Sequence, residues 1–362
     1  MRFGLVQEGH IWPGISAAQR YAEMIEEAVF AEEMGFDYYA LSEQHFLVDV
    51  CTVSAPEVIF GAIAARTERI KIRFGAAVLH SYNHPIRVAE RITTLDALSN
   101  GRAELATARS NNLNTLQAFG VDPKETKAQW AESLEVIIKA LTQDPFEHHG
   151  HFWDIPPRSL TPRPHPRDDG RPILPIWVTA GGLESHRAAG EKGIGVLTGQ
   201  SIYGWDYAES CVKAYKEAIA DPRPIVPGPI NNSDGFFGAV THCAETDEEA
   251  MEQIRDVAYK FVDLAIWLFG SLHPTSPDYA YMDRIEEIRD RNRDLEFLID
   301  RAPYLQIGSP DTLTERFKRL EAMGVDEMIL RIDGTSHEHA RRAIELIGQE
   351  VIPRFEPGAT RA

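Results

Sequence analysis

Eight times along this chain a short run of β-branched and apolar residues gives way to a segment with helical hydrophobic spacing. That alternation leaves few architectures open. Strands joined through helices run parallel, because a parallel pair needs a long crossover connection. The strand patterns fall at residues 2–7, 37–41, 70–78, 103–108, 176–180, 194–198, 235–242 and 328–332. Helical patterns fall at 17–34, 55–67, 86–98, 124–142, 184–191, 206–220, 247–268 and 337–347. Eight such units without a domain-sized break predict one α/β domain over 1–362, a (β/α)8 TIM barrel with insertions.

Two stretches interrupt the pattern. Residues 143–175 are rich in Pro and His, and the segment FEHHGHFWDIP within them suits a small hairpin. Residues 269–307 separate the seventh helix from the last unit. Long excursions after barrel strands build or cover active sites, so this insertion is expected to be an active-site lid.

Composition narrows the partners. With 43% hydrophobic residues the chain has material for a large core. Its 37 basic against 55 acidic residues give a net charge of −18, which argues against nucleic-acid or anionic-membrane partners. The opening MRFGLVQEGH lacks a basic-then-apolar layout, and no window holds 18 uninterrupted apolar residues. Three scattered cysteines suit a reducing compartment, so a cytoplasmic location is expected.

Functional groups of such barrels gather where strands end. Those ends carry Glu8, His10 and Trp12; Glu43, Gln44, His45 and Phe46; Ala76, Ala77 and His80; Arg109, Ser110, Asn111 and Asn112; Ala180, Gly181, Gly182 and Ser185; and Thr198, Gln200 and Tyr203. The set is aromatic and amide-rich with one arginine, and it suits a planar polar cofactor bearing one anionic tail. Gly181-Gly182 precede a helix, where backbone amides and the helix dipole favour phosphate, and Arg109 would add the cation. His148, His149 and His151 lie within four residues, but no further paired ligand motif accompanies them, and no metal site is expected. Neither a Gly-x-Gly-x-x-Gly fingerprint nor a Walker motif is present at a strand-to-helix junction.

The ordered series Glu43-Gln44-His45-Phe46, Phe74-Gly75-Ala76-Ala77-Val78-Leu79, His84-Pro85, Glu90, Leu95-Asp96, Ser99, Gly101-Arg102, Leu105-Ala106-Thr107-Ala108-Arg109, residues 175–182 and Ile307-Gly308-Ser309-Pro310 resembles the bacterial luciferase-like flavin monooxygenases. The resemblance implies an FMN-dependent oxidoreductase with Arg109, Gly181, Gly182, Ala180 and Ser185 about the phosphate. It implies a non-prolyl cis peptide at Ala76-Ala77 beside the isoalloxazine ring, and His45 as an active-site polar group. It further implies a homodimer, formed through the early helices, while the missing dinucleotide fingerprint suggests that FMNH2 arrives from a separate NAD(P)H:flavin reductase. Oxygen would add at the flavin C4a position, giving a (hydro)peroxide that oxygenates the substrate.

Two departures argue against light emission. Gln44 stands where the light-emitting members carry a catalytic histidine, and Ala108 where they carry a cysteine. Glutamine cannot serve as a base, which leaves His10 or His80 as candidates. Trp12, Phe46, Trp153 and Tyr203 suggest a largely apolar substrate pocket. The competing readings are an F420-dependent dehydrogenase or reductase on the same barrel, which would need more basic residues at the mouth, and a flavin-binding barrel without turnover.

Overall fold

The computed structural model describes residues 1–355 apart from Pro13, Asp49 and Gln200. Eight parallel strands close into a barrel: β1 (Arg2–Gln7), β2 (Tyr38–Leu41), β3 (Lys71–Val78), β4 (Ala103–Ala108), β7 (Ile176–Ala180), β8 (Gly195–Thr198), β9 (Asp234–Gly238) and β12 (Glu327–Arg331). Around the ring the order is β1-β12-β9-β8-β7-β4-β3-β2. The hairpin expected in the Pro- and His-rich stretch is present as antiparallel β5 (Phe146–His149) and β6 (Asp154–Arg158). Its His148 turns back to Glu132 (Nε2 to Oε1, 3.2 Å).

The helices follow their local chemistry. Helix α1 (Ala17–Glu33) starts at Ser16, whose hydroxyl accepts from the Gln19 amide, and Gly35 follows its end with φ +84°. Helices α2 (Pro56–Ala64) and α3 (Pro85–Leu98) both open on proline. A short α4 (Leu113–Ala118), absent from the periodicity reading, is capped by Asn112 and precedes α5 (Thr126–Thr142). Then come α6 (Leu183–Glu191), α7 (Trp205–Ile219) and α8 (Asp247–Leu272), which runs four residues past its expected end.

The seventh unit differs from expectation. The run 235–242 is broken at Ala239, whose amide donates to the Tyr304 carbonyl. Beyond it β10 (Val240–Cys243) leaves the barrel and pairs in parallel with β11 (Leu305–Gly308). Between α8 and β12 the chain forms α9 (Glu286–Arg289), α10 (Leu295–Arg301), β11 and α11 (Pro310–Met323); the last two form a strand-helix pair that the eight-unit reading omitted. Helix α12 (His337–Leu346) closes the ring.

The barrel interior is filled unevenly, and that unevenness makes the site. At one end Arg73 lies between the rings of Tyr38 and Trp177, 3.9 Å from each centroid, and bonds Glu104 and Glu327 at 2.8 Å. Gly4 and Gly195 give these two rings their room: an added Cβ would meet Tyr38 at 2.0 Å or Trp177 at 2.4 Å. Burial alone would raise the Glu104 carboxyl, but Arg73 and Arg2 hold it below the usual range. Towards the strands' C-terminal ends the inward positions shrink to Ala40, Gly75, Ala76 and Ala108. A hollow remains there.

Candidate active site

That hollow is a cavity of about 730 Å³, within the range of small-molecule sites. Its walls come from three sources. Strand ends supply Glu8, Ser42, Glu43, Gln44, Ala76 and Arg109; the β7–α6 junction supplies Gly181, Gly182 and Ser185. Helix α8 and the segment 277–282 supply the apolar side, with Phe261, Leu268, Phe269, Tyr279, Tyr281 and Met282. These apolar groups belong to a second buried cluster, distinct from the one between barrel and helices.

Arg109 reaches the cavity with its guanidinium centre 5.2 Å from the Tyr279 ring centroid. Its Nη1 is buried and has no hydrogen-bond partner; the nearest carboxylate oxygen, Asp278 Oδ2, is 4.0 Å away. A buried donor left this way is costly unless something completes it. The α6 N-terminus lies in the same cavity wall. Gly182 is its N-cap and donates to Ser185 Oγ at 3.1 Å, and Ser185 Oγ donates to the Gly182 carbonyl at 2.8 Å. The amides of Leu183 and Glu184, at the first two positions, have no partner within the helix.

A buried chain supports that turn from behind. His186 Nδ1 donates to the Gly182 carbonyl at 2.8 Å, and Thr198 Oγ1 lies 2.9 Å from His186 Nε2 and 3.0 Å from Asp234 Oδ1. Burial lowers His186 to about 4 and pushes Asp234 up to about 7. With His186 neutral, Nε2 takes the single Thr198 proton, so Asp234 must supply its own proton to Thr198 Oγ1. The carboxyl's upward shift is what lets this chain close.

The residues expected from sequence are not all brought together. Gln44, Ala76, Arg109, Gly181, Gly182 and Ser185 line the cavity. Ala77 and Ala180 are buried just behind it. The cis bond is Gly75–Ala76, one residue before the expected Ala76–Ala77 step. His45 stands outside the lining, its Nε2 3.1 Å from Glu43 Oε1, with its ring against Tyr82 and Phe119. His10 is buried beside Asp333, which accepts from its amide, and burial lowers its imidazole. His80 is lowered to about 4 by burial, and its Nε2 donates to the Arg109 carbonyl at 2.6 Å. It orients the arginine's backbone.

The aromatic wall is also not the expected one. Trp12, Phe46, Trp153 and Tyr203 are absent from the lining, and Phe46 is 56% exposed. Gln200 lies outside the described residues. Two carboxylates that sequence reading placed only at strand ends, Glu8 and Glu43, take the interior positions. Glu8 accepts from Arg331 Nε at 2.7 Å and from Gln44 Nε2 at 3.2 Å. Because a carboxylate only accepts here, this bond fixes the Gln44 amide and leaves its oxygen as an acceptor. Glu43 accepts from Asn83 Nδ2 at 3.1 Å. Among the described residues, no group of three or more metal-ligating side chains comes together, and no helix is long and apolar enough to cross a membrane.

Comparison with known proteins points the same way. Residues 1–327 match the family model described as luciferase-like monooxygenase. The chain is 25% identical to the oxygenase component of the flavin-dependent trigonelline monooxygenase of Acinetobacter baylyi, over 98% of this chain and 96% of that protein. It is 33% identical to the uncharacterised protein y4wF of Sinorhizobium fredii, over about half of each. Among solved structures it resembles the oxygenating constituent of 3,6-diketocamphane monooxygenase from Pseudomonas putida, in complex with FMN. There the TM-score is 0.73 at 25% identity, covering 98% and 99% of the two chains. The F420-dependent tetrahydromethanopterin reductase of Methanopyrus kandleri shares the fold, with a TM-score of 0.70 at 20% identity over 98% and 99%.

Proposed function

The chain belongs to the luciferase-like monooxygenase family, and from that premise we propose that it is the oxygenating half of a two-component, FMNH2-dependent monooxygenase acting on a small, largely apolar substrate. One observation carries this reading: the buried, unpartnered Nη1 of Arg109 shares the cavity wall with the N-terminus of α6. A single cation beside helix amides is the donor set for one phosphate. The residues fit FMN. Bound in reduced form, it would supply two electrons to dioxygen, one oxygen atom passing to substrate and the other leaving as water.

The chain's own groups divide the remaining work. Arg109, the first amides of α6 and Ser185 would hold the phosphate. The Gly75–Ala76 backbone and Ala108, with almost no side chain, would leave room for a flat ring. Phe261, Leu268 and Phe269 from α8 and the segment 277–282 would cover the mouth and exclude water, making the insertion 269–307 the lid. Gln44 offers an acceptor oxygen, so the substrate would present a donor group towards it. Glu43 would exchange protons at the cavity wall, with His45 positioning it from outside.

Reduced FMN would come from a separate NAD(P)H:flavin reductase. A homodimer would use α2 and α3, whose Val58 and Leu98 side chains are exposed. The F420 reading draws support from the shared fold, but its acidic tail would meet Glu184 and Asp278 at the same wall as Arg109 and Lys127. Oxygen uptake driven by reduced FMN and dependent on an added apolar substrate tests the proposal. Anaerobic hydride transfer to F420 without oxygen uptake would replace it with the alternative.

A further inference from the structure

Among the described residues, one carboxylate on the cavity wall has no lysine or arginine to match it. Around the ring β2 lies between β1 and β3, with β4 and β7 beyond β3. Glu8, Glu43 and Gln44, at the ends of β1 and β2, therefore line the cavity across β3 from Arg109 and the glycine turn. The other lining charges are balanced. Arg73 meets Glu104 and Glu327, and Glu8 meets Arg331 at 2.7 Å. At the far end two cations, Arg109 and Lys127, share the wall with two carboxylates, Glu184 and Asp278. Glu43 is the exception. Its side chain is 9% exposed, and its donors are Asn83 Nδ2 and His45 Nε2, each at 3.1 Å, with the Val78 amide at 3.4 Å. Arg91, behind Asn83, pairs with Glu57 at 2.7 Å. A neutral His45 donates to Glu43 without adding charge.

We propose that the substrate presents a protonated amine, a primary or secondary ammonium on an apolar body, to Glu43 and Gln44. The inference rests on the flavin-oxygenase reading above and names the polar end of its apolar substrate. A carboxylate largely withdrawn from water favours a cation beside it. Gln44 sets the second contact. Its amide protons go to Glu8 at 3.2 Å and Ser42 Oγ at 3.3 Å, which leaves Oε1 as an acceptor. An ammonium has a donor for Gln44 Oε1, another for Glu43, and the charge that Glu43 lacks. A neutral alcohol meets only the hydrogen bonds, and a carboxylate is repelled. The hydrocarbon body faces the apolar side supplied by α8, Leu268 and Phe269.

Titrating octylammonium, 1-octanol and octanoate into the FMN-loaded protein, followed by the spectrum of the bound flavin, tests the inference. Wild type is expected to bind octylammonium about tenfold tighter than 1-octanol, the margin of a charge-assisted over a neutral hydrogen bond, and octanoate least. Glu43→Gln keeps the side chain's length, and its amide oxygen can still accept from Asn83. It is expected to erase that margin and leave 1-octanol unchanged. Should this variant fail to fold, Glu43→Asp withdraws the carboxylate by one methylene and is expected to shrink the margin. A margin that survives the substitution intact would come from the chain's overall charge of −18 and would overturn the inference. Equal binding of octylammonium and 1-octanol to wild type would overturn it too, while leaving the flavin site standing. No FMN binding to wild type would remove the flavin reading itself, and this inference with it.

Discussion

Replacing Asp234 with asparagine isolates the buried chain behind the glycine turn. The asparagine amide can donate to Thr198 Oγ1 as the protonated carboxyl does, so Thr198, His186 and the Gly182 carbonyl keep their arrangement. What changes is the response to pH. Burial drives the wild-type carboxyl up to about 7, against about 3.9 in an unfolded chain. Asp234 therefore holds a proton in the native protein that the unfolded chain has released, and its own contribution to stability falls as pH rises from about 4 to about 7. Asparagine makes no such contribution. Lys216, Asp326 and Glu327 face Asp234 in both proteins, and His186 is common to both, so their effects cancel in the difference. A full pH unit well inside the window is worth about 1.4 kcal/mol, and the slope falls off as the native carboxyl itself begins to ionise, so from pH 5 to pH 7 the difference should move by about 2 kcal/mol in the variant's favour. Urea unfolding of both proteins at the two pH values measures it. A difference that stays constant would mean that Asp234 is ionised in the folded protein, and the proposed direction of the chain would be wrong.

Three further outcomes follow from the same contacts. Arg109→Ala should cost FMN binding about 1.5–3 kcal/mol, roughly 10- to 150-fold, and spare riboflavin; an equal loss for both flavins would make the arginine a structural residue. Arg73→Met leaves Glu104 and Glu327 buried with only Arg2 nearby, and should lower unfolding stability by about 3–5 kcal/mol; an unchanged urea midpoint would contradict that. Ala108→Phe projects a ring into the cavity and should abolish flavin binding while the thermal midpoint holds, whereas normal FMN affinity would place the flavin elsewhere.

The barrel was legible because its strands are short apolar runs bounded by turn residues, and β1, β4 and β7 begin and end where those runs do. The exit at Ala239 was not, because the run 235–242 stays apolar through the point where the backbone changes partner. That Arg109 and the glycine pair line one cavity was legible because both fall at strand ends, which converge on one face of a barrel. The aromatic wall was not: Phe261, Leu268 and Phe269 carry ordinary helical spacing, which looks the same whether it faces a core or a cavity. Nor does spacing distinguish Glu43, which faces the hollow, from His45 two residues later, which does not. That choice depends on how the chain leaves β2, where Phe46 takes φ +61°.

The most direct test is to load the protein anaerobically with reduced FMN, mix it rapidly with oxygenated buffer and follow the flavin spectrum. A site that anchors the phosphate and shuts out water predicts reoxidation through a transient spectrum unlike that of either FMNH2 or FMN, decaying more slowly than free flavin oxidises. Reoxidation indistinguishable from that of FMNH2 free in solution would contradict the account.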